Sequence, residues 1–152
     1  MEEVNVGVIG LGQMGLLHLM NCLHIDDAKV VAASDKSKNA LSKAASLGVK
    51  NLYTDYQELL KKESDRLDAV VISLPNFLHL ESVQTALEAG PDVFVEKPLA
   101  TNLDESREIV RSVEKNGRKL MIGHCMRFIE AIEKMKAALD EGRIGSLEII
   151  TI

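Results

Sequence analysis

Val4-Asn5-Val6-Gly7-Val8-Ile9, followed at once by Gly10-Leu11-Gly12-Gln13-Met14-Gly15, is the stretch that decides the fold. The first six residues are an apolar run of strand character, and the next six form a G-x-G-x-x-G. From Gln13 to His24, the residues Met14, Leu17, Leu19, Met20 and Leu23 recur at helical spacing, so the loop joins a strand to a helix. A glycine hexapeptide alone is a weak signal; in this setting it fits the dinucleotide-binding fingerprint. Gly10 allows the tight turn, Gly12 lets backbone approach a pyrophosphate, and Gly15 lets the helix pack against the strand. Gln13 and Met14 open the helix, whose free N–H groups and positive dipole end favour a diphosphate. Asp35 lies 20 positions beyond Gly15, at the end of a second strand. Its carboxylate can accept from both ribose hydroxyls and repels a 2′-phosphate, which favours NAD over NADP; the neighbouring Lys36 works against that preference. The competing reading is a structural glycine turn beside a surface aspartate.

Outward from this unit the pattern repeats. Apolar runs at 29–34, 51–53, 69–74, 93–96 and 120–123 read as strands, and helical patterns at 38–47, 58–63, 78–89, 103–116 and 129–141 alternate with them. Residues 69–74 are almost continuously apolar, as a strand covered on both faces should be. Ser37 and either Thr101 or Asn102 are expected N-caps, and Thr54 with Gln57 fits a capping box. Gly48, Gly90, Gly117 and Gly142 close helices. The fold class is α/β: a doubly wound, mainly parallel Rossmann sheet flanked by helices. A seventh strand is expected over 146–152, where Leu147, Ile149, Ile150 and Ile152 would need a pairing partner.

Composition narrows the function. The 152 residues, 46% hydrophobic and 27% charged, suit one globular domain with its own core. No run of ~18 apolar residues suggests a membrane span, and the acidic start Met1-Glu2-Glu3 does not read as a signal peptide. A formal charge of −5 and 3% aromatic residues argue against a nucleic-acid partner. Cys22 and Cys125 form no spaced pattern, so two buried free thiols in a reducing, cytoplasmic setting are expected. His18 and His24 lie six apart, not the three or four that would put two ligands on one helix face. Surface or helix-end roles are expected for both, and no metal site.

Ligands of open parallel sheets sit beyond the carboxyl ends of the strands. Those ends carry Leu74-Pro75-Asn76-Phe77-Leu78-His79, Glu96-Lys97-Pro98, and Gly123-His124-Cys125-Met126-Arg127-Phe128. With the glycine loop, these segments in this order resemble the N-terminal domain of the Gfo/Idh/MocA family of NAD(P)-dependent oxidoreductases, the glucose–fructose oxidoreductase and inositol dehydrogenase group. The resemblance spans essentially the whole chain, and Glu96-Lys97-Pro98 is its most specific feature. It implies that Lys97 meets substrate beside the nicotinamide, where an ammonium can orient the reacting oxygen and stabilise developing negative charge. The alternative for Lys97 is an exposed lysine in a turn. Glu96 would fix the lysine or contact cofactor. Leu74, Pro75, Asn76 and His79 would line the cofactor pocket. The alternatives are helix capping by Asn76 and packing by His79, whose place in a first helical turn favours a neutral ring. Arg127 would face the cofactor or an interdomain cleft, or else form a salt bridge on the last helix. His124 could approach substrate.

The family's second, α+β domain has no counterpart in this sequence. Residues 1–124 are therefore expected to be the dinucleotide-binding domain and 125–152 a linking helix and strand. The implied function is NAD-dependent hydride transfer on a sugar, cyclitol or similar small hydroxy compound. The alternatives are a dinucleotide-binding module or split-enzyme subunit without turnover of its own, or a fragment without function. Self-association, or binding of a second chain, is expected through 129–152.

Overall fold

The computed structural model describes residues 3–149. Six strands form one sheet: β1 (Val4–Ile9), β2 (Ala28–Ser34), β3 (Asn51–Tyr53), β4 (Ala69–Ile72), β5 (Asp92–Val95) and β6 (Leu120–Ile122). Their spatial order is β3-β2-β1-β4-β5-β6, and every pairing is parallel. Helices α1 (Gln13–Leu23) and α2 (Lys38–Ser46) cross between the first three strands, with α3 (Tyr56–Glu63), α4 (His79–Ala89) and α5 (Leu103–Asn116) following. The order reverses between β1 and β4, so a crevice opens where the chain leaves those two strands.

Period-two alternation in the strands feeds two separate cores. Val6 and Val8 of β1 and Val71 of β4 pack with Leu19 of α1 and Ala44 of α2 on one face. Ile9, Val70, Ile72, Val93 and Val95 pack with Leu59 and Leu60 of α3, Val83 and Leu87 of α4 and Ile109 of α5 on the other. The continuous apolar run of β4 is thus explained, since its neighbours bury both faces. Complete burial of a side chain such as Ile9 or Leu87 contributes ~1.5–3 kcal/mol, and both are buried almost fully.

Local chemistry sets the helix ends. Ser37 Oγ accepts the Ala40 N–H, and Asn102 Oδ1 accepts the Glu105 N–H. The Glu105 carboxylate in turn accepts the Thr101 hydroxyl and N–H, which holds it below the usual carboxylate range. The capping box expected from Thr54 and Gln57 does not form. Asp55 is the cap of α3, accepting the Gln57 N–H at 2.9 Å, while the Gln57 amide donates to Glu81. A carboxylate one residue nearer the helix takes the orphan N–H first.

The final helix, α6 (Glu130–Asp140), has no buried residue. Residues 146–149 are not in a strand, and 150–152 lie outside the described residues, so the expected seventh strand does not appear in the described part. The thiols also differ from expectation. Cys22 is half-buried, which pushes its thiol pKa up, but Cys125 is exposed on a short 3-10 turn beyond the sheet. No helix is long and apolar enough to cross a membrane, and no cluster of metal-ligating side chains occurs among the described residues.

Candidate functional site

The sheet ladder runs one residue past its strands at the crevice. Gly10 N–H donates to the Ser34 carbonyl, Ser73 N–H to Ile9, Glu96 N–H to Ile72 and Gly123 N–H to Val95, all at 2.8–2.9 Å. These bonds place the glycine loop, Ser73, the Glu96-Lys97 segment and Gly123 side by side on one edge. An open groove of about 430 Å³ there is lined by Gly10, Gly12, Gln13, Met14, Asp35, Ser73, Leu74, Pro75, Glu96 and Lys97. Nine of these ten were named from sequence; Ser73 was not. It lies one residue past β4, the position where strand-end residues meet ligands, and its type gave no motif to match.

Each glycine of the loop has a separate physical reason. Gly10 has φ +86°, and a Cβ there would stand 2.5 Å from the Ser73 carbonyl oxygen. A Cβ at Gly15 would stand 1.9 Å from the Gly10 carbonyl oxygen, so α1 starts in direct backbone contact with the turn. A Cβ at Gly12 meets nothing within 4 Å, because Gly12 faces the groove. No side chain caps α1 and no acid occupies its first turn. The helix start therefore presents uncapped N–H groups and an uncompensated positive dipole end to the groove, which suits a diphosphate.

Asp35 is fixed more firmly than its sequence position suggested. Its Oδ2 accepts the Leu11 N–H and its Oδ1 the Ser37 N–H, each at 2.7 Å. The carboxylate so latches the glycine loop to the start of α2. Two of its roughly four acceptor sites remain for ribose hydroxyls. Beyond it lies a second cavity of about 700 Å³, lined in part by Ser34, Lys36, Tyr56 and Phe77. Tyr56 donates to Glu81 at 2.9 Å, and burial together with that bond pushes its phenol up to about 12.

The remaining predicted residues separate. Glu96 is 8% exposed, and its Oε2 accepts the Lys97 N–H at 3.1 Å. The Lys97 side chain is exposed, in none of the ion pairs among the described residues, and follows Glu96 along the groove. The Lys97–Pro98 bond is cis. His79 is 1% exposed; its Nδ1 faces the Pro98 carbonyl at 2.8 Å and its Nε2 the Leu74 carbonyl at 2.9 Å. Both partners only accept, so the ring donates to one when neutral and to both when protonated. It therefore braces the end of β4 against the Lys97-Pro98 turn from beneath and lines neither cavity. Asn76 makes no capping bond, and it and Arg127 are exposed outside both cavities; Arg127 forms no salt bridge among the described residues.

Sequence reasoning missed His18. Expected at the surface, it lies instead at the sheet edge, where its Nε2–H donates to Glu96 Oε1 at 2.7 Å. The signal was present: Gly15, His18, Leu19 and Cys22 share the inward face of α1 at helical spacing.

Residues 4–124 match the family model described as an oxidoreductase family with an NAD-binding Rossmann fold. The chain belongs to the Gfo/Idh/MocA oxidoreductase family. As a member of it, the chain supplies an NAD-binding Rossmann domain. A myo-inositol 2-dehydrogenase from Thermotoga maritima is 35% identical over 150 residues, which are 98% of this chain and 44% of that protein. A 2,7-anhydro-N-acetylneuraminate hydratase from Mediterraneibacter gnavus is 31% identical, over 97% of this chain and 38% of its own length. Among solved structures, scyllo-inositol dehydrogenase from Lactobacillus casei, with bound NAD(H) and scyllo-inositol, superposes with a TM-score of 0.89 at 29% identity, covering 95% of this chain and 43% of that one. The chain spans less than half the length of these relatives.

Proposed function

We propose that the chain forms the cofactor half of an oxidoreductase that moves hydride between NAD and a hydroxyl-bearing carbon of a sugar, cyclitol or related compound. Residues 1–124 are its dinucleotide-binding unit, and 125–152 are a linking segment. The observation that carries this reading is the exposed Lys97, in no ion pair among the described residues, in the same groove as the uncapped start of α1. The groove fits the cofactor: Gly12 leaves its floor free of side chain, the helix start suits a diphosphate, and Asp35 keeps acceptors for a ribose. Bound NAD would supply the hydride acceptor. Lys97 would orient the substrate oxygen and stabilise its developing negative charge as the hydroxyl proton passes to water in the open groove. Asp35, a carboxylate beside the ribose position, would favour NAD over a 2′-phosphorylated cofactor, and Leu74 and Pro75 form the apolar wall beside it.

The test is Lys97→Ala in the protein carrying this chain. Turnover should fall ~10²–10⁴-fold, the usual span for loss of acid–base assistance, while NAD affinity holds. Unchanged turnover removes Lys97 from the chemistry. A second reading, an NAD-binding module without turnover of its own, is favoured by the open groove around the exposed Lys97. NAD binding without NADH formation over a panel of polyols and sugars would select it. Association through 129–152 belongs to either reading, since Ile129, Met135, Ile144, Leu147 and Ile149 are exposed there. A stable monomer in light scattering at high concentration would exclude it.

A further inference from the structure

The contact between His18 and Glu96 joins residues 78 positions apart, and His18 itself does not line the groove. The His18 ring meets Phe94 of β5 edge-on, with centroids 5.1 Å apart, so its direction is set by packing. Its Nε2–H reaches one oxygen of Glu96 at 2.7 Å, and the other oxygen accepts the Lys97 N–H at 3.1 Å. Gly123 closes the far side: a Cβ there would stand 3.2 Å from Glu96 Oε1, so the carboxylate already fills the space under β6. Glu96 also borders the groove, which Lys97 lines as well.

We propose that His18 is a positioning residue for Lys97: by holding Glu96 in the orientation that accepts the Lys97 N–H, it fixes the turn from which the Lys97 side chain leaves the sheet. Without the imidazole, Glu96 would be a largely buried carboxylate with one backbone partner. Such a group gains by rotating toward solvent and toward the nearest cation. In the groove that cation is the Lys97 ammonium, so the rotation would both release the turn and mask the amine. This inference rests on the reading of Lys97 as the acting residue of the groove, but it concerns where the backbone stands, not what the amine does.

The experiment is a set of ¹H–¹⁵N spectra of the 152-residue chain, with the Lys97 amide as the reporter. An amide donating to a carboxylate resonates well downfield, and Glu96→Gln marks the position without that charge-assisted bond. His18→Phe keeps a ring against Phe94 but has no nitrogen. It should move the Lys97 amide most of the way to its Glu96→Gln position, with core amides of β1 and β4 in place. His18→Gln returns an N–H donor and should bring the resonance back. If His18→Phe does not fold, His18→Asn, whose amide is too short to reach Glu96, carries the same comparison. A Lys97 amide that stays put in His18→Phe or His18→Asn, or that His18→Gln fails to restore, overturns the proposal. A Lys97 without catalytic effect would show in the turnover of Lys97→Ala and would leave these shifts unchanged, so the two failures are separable.

Discussion

Two alanine substitutions three residues apart should have opposite effects. At Gly15 a Cβ would stand 1.9 Å from the Gly10 carbonyl oxygen and 2.8 Å from its carbon. Backbone atoms cannot rotate aside, so the start of α1 must move away from the turn after β1. Overpacking of this kind costs ~1–3 kcal/mol and sometimes more, and a contact this close belongs at the upper end. Gly12 is the contrast. Its φ of −64° and ψ of −167° are open to alanine, and nothing lies within 4 Å of the new Cβ. Gly12→Ala should leave the fold as stable as before, or more stable by ~0.4–1 kcal/mol through a stiffer unfolded chain. Its methyl would occupy the groove where the diphosphate must approach. The same overpacking cost, now charged to binding, weakens NAD by roughly 5- to 150-fold. Urea unfolding measures the first effect and calorimetric titration with NAD the second. Gly15→Ala should lose stability, and Gly12→Ala should lose affinity at full stability. A Gly12→Ala chain that binds NAD as well as the parent, or unfolds as early as Gly15→Ala, would refute the assignment of the groove.

Asp35→Asn turns one carboxylate oxygen into a donor facing the N–H of Leu11 or Ser37. It should cost ~1.5–3 kcal/mol of stability and narrow the preference for NAD over NADP, both readable by urea unfolding and paired titrations. His79→Leu removes the donor between the Leu74 and Pro98 carbonyls. A loss of about 1–3 kcal/mol is expected, and an unchanged unfolding midpoint would show that the brace carries no stability. Tyr53 is bonded to Glu63 and Tyr56 is partly buried and bonded to Glu81, and both phenols are pushed up to about 12. The folded state favours the protonated forms, so their contribution is complete below pH ~10, the usual tyrosine value, and is lost as pH rises towards 12. Near-ultraviolet phenolate absorbance should thus stay low at pH ~10 in the folded chain; half-ionisation there would contradict the two hydrogen bonds.

The fold was legible because its signals were local. β1, β3 and α5 have the bounds read from apolar runs and caps, and β4 declared its two covered faces by its composition. The glycine loop was legible for the same reason, since each glycine answers a backbone constraint within a few residues of itself. Other features depend on partners distant in sequence. Asp35 showed its ribose acceptors but not its grip on the Leu11 N–H, which requires the loop to fold back over β2. His79 showed helical position but not the two carbonyls on either side of it, one of them 19 residues away. His18 showed only its six-residue spacing from His24, whereas its partner is the carboxylate of Glu96, one residue past β5 and 78 positions away. The expected burial of Cys125 failed because its apolar neighbours, Met126 and Phe128, are themselves exposed in the turn after β6.

The central claim is that the crevice between β1 and β4 holds NAD through the start of α1 and Asp35. Calorimetric titration of the chain with NAD and, separately, with NADP tests it most directly. The account predicts one NAD bound per chain, with NADP weaker and the gap closed in Asp35→Asn. No heat with either dinucleotide at millimolar concentration, from a chain shown to be folded, would contradict it.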